Sequence, residues 1–102
     1  MIFRRLPAAD LEISEAAEWY DNQRPLLGDD FTEEVEHAFD RISRDPLLYA
    51  RVKRFGDPDD VRCCLLHRFP HLVIYRYRPE EILIVAVSHV RRKPYYWLER
   101  LT

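Results

Sequence analysis

The sequence predicts an α+β domain in the order β-α-α-β-β-β. Two apolar stripes at helical spacing, joined by a short link, predict a helical hairpin. Three β-favouring segments separated by tight turns predict a meander, and a short apolar segment at the start predicts one more strand. A chain of 102 residues has room for one core. It is expected to form a single domain over 1–102 that buries roughly two-thirds of the surface its unfolded chain exposes. The packing expected is one helical hairpin across one face of a small, mainly antiparallel sheet.

Ile2 to Leu6 reads as a terminal or edge strand, which Pro7 stops. Pro7 suits a first helical turn, where its missing N–H is no loss. Ala9, Ile13, Ala16, Ala17 and Tyr20 then recur on one helical face, with Asp10, Glu12, Glu15, Glu18 and Asp21 between them. Pro25 pushes Arg24 out of the helical region and ends that helix. Leu27, Phe31, Val35, Ala38, Phe39 and Ile42 form the second stripe. Asp29 and Asp30 lie near its start, where the helix dipole favours negative charge, and Asp45-Pro46 closes it. Residues 46–60 read as irregular, with a basic run Arg51-Val52-Lys53-Arg54 and turn chemistry at Asp57-Pro58-Asp59-Asp60. Strands follow at Val61 to His67, His71 to Tyr77 and Ile82 to Val87; the last is continuously apolar, as in a strand covered on both faces. After Pro94, Trp97, Leu98 and Leu101 predict a final helical turn.

The composition is 47% hydrophobic and 33% charged, with two glycines, which is that of a soluble globular domain. No apolar run approaches the roughly 20 residues of a membrane span. The opening Met1-Ile2-Phe3-Arg4-Arg5-Leu6-Pro7 is too short and polar for a signal peptide. Cys63 and Cys64 are adjacent, so in a strand they face opposite ways and neither bridge each other nor share a metal. Buried thiols in a reducing cytoplasm are the expectation, with no metal and no cofactor. Charge is unevenly spread: residues 1–60 carry 8 Lys/Arg against 15 Asp/Glu, and residues 61–102 carry 8 against 3. A basic half suits phosphates or an acidic partner, or it merely solvates its own surface.

In this order and at these spacings, several segments resemble the RelE/ParE toxin superfamily. They are Glu15-Ala16-Ala17-Glu18-Trp19-Tyr20, Arg24-Pro25-Leu26-Leu27-Gly28-Asp29-Asp30-Phe31, Val61-Arg62, Arg68-Phe69-Pro70, Tyr75-Arg76, and Ser88-His89-Val90-Arg91-Arg92-Lys93-Pro94 with Trp97. The resemblance covers nearly the whole chain and is greater to the ParE-like, "plasmid stabilisation" branch. It implies the toxin of a type II toxin–antitoxin pair. ParE-like members bind DNA gyrase, RelE-like members cleave messenger RNA on the ribosome, and both are silenced by an antitoxin that wraps them.

RNA cleavage through a 2′-hydroxyl needs a base, an acid and cations around the phosphate. Cys63 and Leu65 stand where the resemblance to RelE-like enzymes implies lysines, and Leu72 stands where it implies an arginine; Arg92 matches the late arginine. The candidate catalytic residues of that alternative are His89, Arg92 and Tyr95, with Tyr96 a second choice for the tyrosine. His67, His71 and His89 all fall at strand ends, where a site can assemble. The target-binding candidates of the ParE-like reading are Arg62, Arg68, Arg91, Arg92, Lys93 and Trp97, since Arg, Tyr and Trp recur at interface hot spots. Trp97 packing back on the sheet is the competing reading. Trp19 and Tyr20 are the antitoxin-binding candidates, by a helix-in-groove mode. The partners expected are a cognate antitoxin and DNA gyrase, or the ribosome and mRNA, with neither a membrane nor a small-molecule cofactor. A third reading is a decayed toxin that binds only its antitoxin.

Overall fold

The computed structural model describes residues 1–52 and 58–102. Strand β1 (Ile2–Arg5) leads into helices α1 (Pro7–Gln23) and α2 (Leu27–Arg44); strands β2 (Asp60–Leu65), β3 (His71–Arg78) and β4 (Glu81–His89) follow, and a 3₁₀ turn (Leu98–Leu101) closes the chain. This is the predicted α+β order, two helices on a four-stranded sheet. The sheet order is β1-β4-β3-β2: β2–β3–β4 form the antiparallel meander, and β1 joins the β4 edge in parallel. Lys53, Arg54 and Asp57, parts of the predicted basic run and turn, lie outside the described residues. Among the described residues no helix is long and apolar enough to cross a membrane.

Both predicted stripes are the faces that pack. Ala9 and Ile13 of α1, and Phe31, Val35, Ala38, Phe39 and Ile42 of α2, are buried against Val73, Tyr75, Ile82, Ile84 and Val87 on one face of the sheet. The opposite face carries a second core of Val61, Ile74, Leu83, Val85, Ala86 and Trp97, flanked by Leu98 and Leu101. Cys63 packs on this second core while Cys64 is buried in the first, as the two-residue period of a strand requires. A bulge sets Ala86 opposite Ile74 but Ile84 opposite Tyr75, which leaves Val85 as the extra residue and twists the far end of β4.

The helices pack tightly at Gly28, whose N–H donates to Asp21 Oδ1 at 2.7 Å. A Cβ there would sit 2.2 Å from the Ala17 carbonyl oxygen, so this crossing demands glycine. Two strand limits differ from the sequence reading by two residues, and four others by one. β2 stops at Leu65 rather than His67, because Glu34 of α2 accepts the His67 and Arg68 N–H groups and draws the turn toward the helix. β4 runs on to His89 because Ser88 and His89 pair with Leu72 and His71; polar residues at a paired strand end carry no apolar signature.

Candidate functional site

Where α1 passes the paired ends of β3 and β4, Ala16, Trp19, Tyr20, Pro70, His71 and His89 line an apolar cavity of about 420 Å³. Trp19 stands 58% exposed at its rim, edge-on to Tyr20 with ring centroids 5.2 Å apart. A hydrogen bond of 3.1 Å joins Tyr20 Oη to His71 Nε2. His71 is only 5% exposed, and its buried Nδ1 has no hydrogen-bond partner among the described residues. Burial, and then the neighbouring His89, push its pKa down to about 4, against a weaker opposing pull from Glu12. His71 is therefore a neutral part of the wall at neutral pH. Its ring lies 5.2 Å from that of His89, and the His89 Nδ1 accepts the Arg91 N–H at 3.1 Å. The apolar cavity and the basic turn thus meet at one residue.

That turn, Val90 to Pro94, is exposed throughout. Among the described residues neither Arg91 nor Lys93 has an acidic partner. Arg92 does: its Nη1 lies 3.4 Å from Glu12 Oε2, while its guanidinium stacks 4.0 Å above the Tyr96 ring and its side chain stays 53% exposed. Glu12 is the hub of this end of the molecule. Its carboxylate accepts from Val87 N (3.1 Å), from both terminal nitrogens of Arg100 (2.9 and 3.2 Å), from Arg92 and from the Tyr96 hydroxyl. Arg100 also donates to Val85 O at 3.0 Å. Together Glu12 and Arg100 cap the part of the β4 edge that β1 stops short of covering. Five donors saturate a carboxylate with about four lone-pair sites, which leaves it no site for a substrate proton. The bond to Glu12 holds the Arg100 pKa up, and burial raises that of Tyr96.

The comparisons with known proteins bear on this arrangement. The profile of "ParE toxin of type II toxin-antitoxin system, parDE" matches residues 4–94. The chain belongs to the ParE toxin family. Among solved structures it is similar to a chain of the chromosomal ParDE toxin–antitoxin system from P. aeruginosa, with a TM-score of 0.72 and 16% identity over 87% of this chain and 95% of that one. At that identity the likeness speaks for the fold. No curated protein matches the sequence.

Within this ParE-family chain the predicted site residues separate into groups. Trp19 and Tyr20 meet at the cavity, and Arg91, Arg92 and Lys93 share the exposed turn beside it. Trp97 is corrected: it is 4% exposed and belongs to the second core, so it packs back on the sheet instead of offering a contact. The reversal comes at Tyr95, whose backbone is left-handed (φ 62°) and whose ring lies edge-on to Trp97. Arg62 holds the chain after α2, donating to the carbonyls of Leu47 (3.0 Å) and Tyr49 (2.8 Å) and pairing with Asp60. Arg68 pairs with Asp30 at 3.5 Å and lies over Phe69. The three residues of the endonuclease alternative each engage a different neighbour: His89 holds Arg91 N–H, Arg92 holds Glu12, and Tyr95 lies against Trp97. Sequence reasoning missed Glu12, which reads there as one more acidic residue on a polar helix face. It also missed the His71–His89 pair, which only strand register reveals.

Proposed function

We propose that this ParE-family toxin acts by binding DNA gyrase through the exposed basic turn Arg91–Lys93, and that its antitoxin silences it by occupying the cavity beside Trp19 and Tyr20. The observation that carries the reading is the continuity of the two surfaces at His89, which lines the cavity and accepts the Arg91 N–H. A segment that seats an apolar side chain over Trp19 lies next to the cations and covers them. Exposed Trp and Tyr supply large contact area at low entropic cost, the property of interface anchors. Among the described residues Arg91 and Lys93 have no ion pair, so meeting an acidic surface does not require breaking one there. Trp97 contributes from behind, as part of the core that supports the turn, and Arg68 lies apart on the β2–β3 turn beside α2.

A supercoiling assay tests this reading. The purified protein is expected to inhibit gyrase at near-stoichiometric amounts, and a cognate antitoxin is expected to relieve the inhibition. Full supercoiling at large molar excess refutes gyrase as the target. Primer extension on translated messages tests the alternative ribosome-dependent endonuclease with His89, Arg92 and Tyr95, which requires cut transcripts. Normal growth on expression without antitoxin identifies instead a decayed member that binds only antitoxin.

A further inference from the structure

We infer that Glu12 is a positioning residue for the basic turn: its carboxylate fixes the Arg92 guanidinium so that one side is held and the other is presented to a carboxylate on the target protein. This rests on the reading of the turn as the target-binding surface. Glu12 sits on α1, far in sequence from every residue it binds in the C-terminal segment, and its side chain is only 12% exposed. It constrains Arg92 in two ways. Directly, Glu12 Oε2 accepts from Arg92 Nη1 at 3.4 Å. Indirectly, it accepts the Tyr96 hydroxyl and so fixes the ring on which the Arg92 guanidinium lies, 4.0 Å from the centroid. The Arg100 guanidinium also lies near this ring, 5.2 Å from the same centroid, and is itself tied to both Glu12 oxygens.

A guanidinium with five donors in a planar fork suits this division. One edge meets Glu12 and one face meets Tyr96; the side chain is 53% exposed, and the other edge of the guanidinium can donate to a second carboxylate in bidentate geometry. An unrestrained surface arginine must lose rotamer freedom when it binds; this one has already lost it on folding. The chemistry also selects the partner atom. Arg92 beside the unpaired Arg91 and Lys93 favours an anion, and a planar carboxylate matches the remaining edge of the fork.

The test compares wild type, Glu12→Gln, Arg92→Ala and the double variant as full-length proteins, by hydrogen exchange and by gyrase supercoiling. Glutamine keeps the size and still accepts the Val87 N–H, but its amide group turns donors toward Arg92, Arg100 and Tyr96. The amides of Leu98 and Arg100, which close the 3₁₀ turn on Tyr95 O and Trp97 O, are expected to exchange at least tenfold faster in Glu12→Gln. Those of β3 are expected to stay within twofold, which shows the sheet intact. Each single variant is expected to raise the half-inhibitory concentration for gyrase about tenfold, and the double variant no further than Arg92→Ala, because both act through one guanidinium. Unchanged exchange overturns the clamp. Faster exchange with unchanged inhibition, or additive losses in the double variant, overturns the positioning role. A wild-type protein that leaves gyrase untouched defeats the target reading instead, and the exchange comparison then decides the clamp alone.

Discussion

Replacing each tryptophan by alanine in turn separates a residue that holds the fold from one that holds a partner. Trp97 is 4% exposed in the second core. An aromatic side chain of this class buries roughly 150–250 Å², which at about 25 cal/mol per Å² gives an upper bound of about 4–6 kcal/mol. Truncations of buried Phe and Trp cost about 3–5 kcal/mol, so about 4 is the working figure for Trp97→Ala. With an unfolding entropy of about 0.2 kcal/mol/K for a domain of this length, the melting temperature falls by roughly 20 °C. Trp19 is 58% exposed and its ring lies edge-on to the adjacent Tyr20. Trp19→Ala is therefore expected to lose about 1 kcal/mol of stability, or roughly 5 °C. Its effect belongs in binding: about 2 kcal/mol, near 30-fold in Kd for a cognate antitoxin. Thermal melts followed by circular dichroism and calorimetric titration read the two quantities. A Trp97→Ala protein that melts within a few degrees of wild type, or a Trp19→Ala protein that binds antitoxin as tightly as wild type, refutes the assignment of the corresponding residue.

Three further outcomes follow from the geometry. Burial holds the His71 pKa at about 4 in the fold against an ordinary 6.5, so between those values the unfolded chain binds the additional proton and stability falls as pH falls. From pH 7 to pH 5 the loss attributable to this group is about 2 kcal/mol; denaturant titrations of His71→Phe are expected to lack that increment, and equal pH dependence in both proteins contradicts it. Gly28→Ala drives a methyl group to within 2.2 Å of the Ala17 carbonyl oxygen and disturbs the Gly28–Asp21 hydrogen bond. A loss of about 3 kcal/mol is expected on chemical unfolding, and a neutral result shows that the helices do not cross there. Burial, and then Cys64, push the Cys63 thiol up to about 11, so alkylation at pH 8 is expected to run ~100-fold slower in the native protein than in urea; equal rates show an accessible thiolate.

The fold was legible where burial follows a simple period. Each apolar residue named on the two helical stripes packs against the sheet, and the continuous run in β4 is buried on both faces. The strand limits were less so, since His67 leaves β2 for a side-chain contact to Glu34 and His89 enters β4 by pairing with His71. Neither is a matter of local propensity. The site was legible in its chemistry but not in its assembly. A basic and aromatic tail was visible, yet which aromatic turns inward depends on the reversal at Tyr95, a backbone conformation that no residue type there announces. Glu12 was invisible for a related reason. Its partners are Val87, Arg92, Tyr96 and Arg100, and only the closed fold brings them to α1.

Supercoiling inhibition by an Arg91→Ala/Lys93→Ala protein is the most direct test of the two-surface account. Both side chains lie on an exposed turn and have no acidic partner among the described residues, so the variant's stability should stay within about 0.5 kcal/mol of wild type. It should bind a cognate antitoxin through Trp19 and yet fail to inhibit gyrase at concentrations where wild type inhibits fully. A variant that inhibits gyrase as strongly as the parent protein shows that the basic turn is not what the target meets.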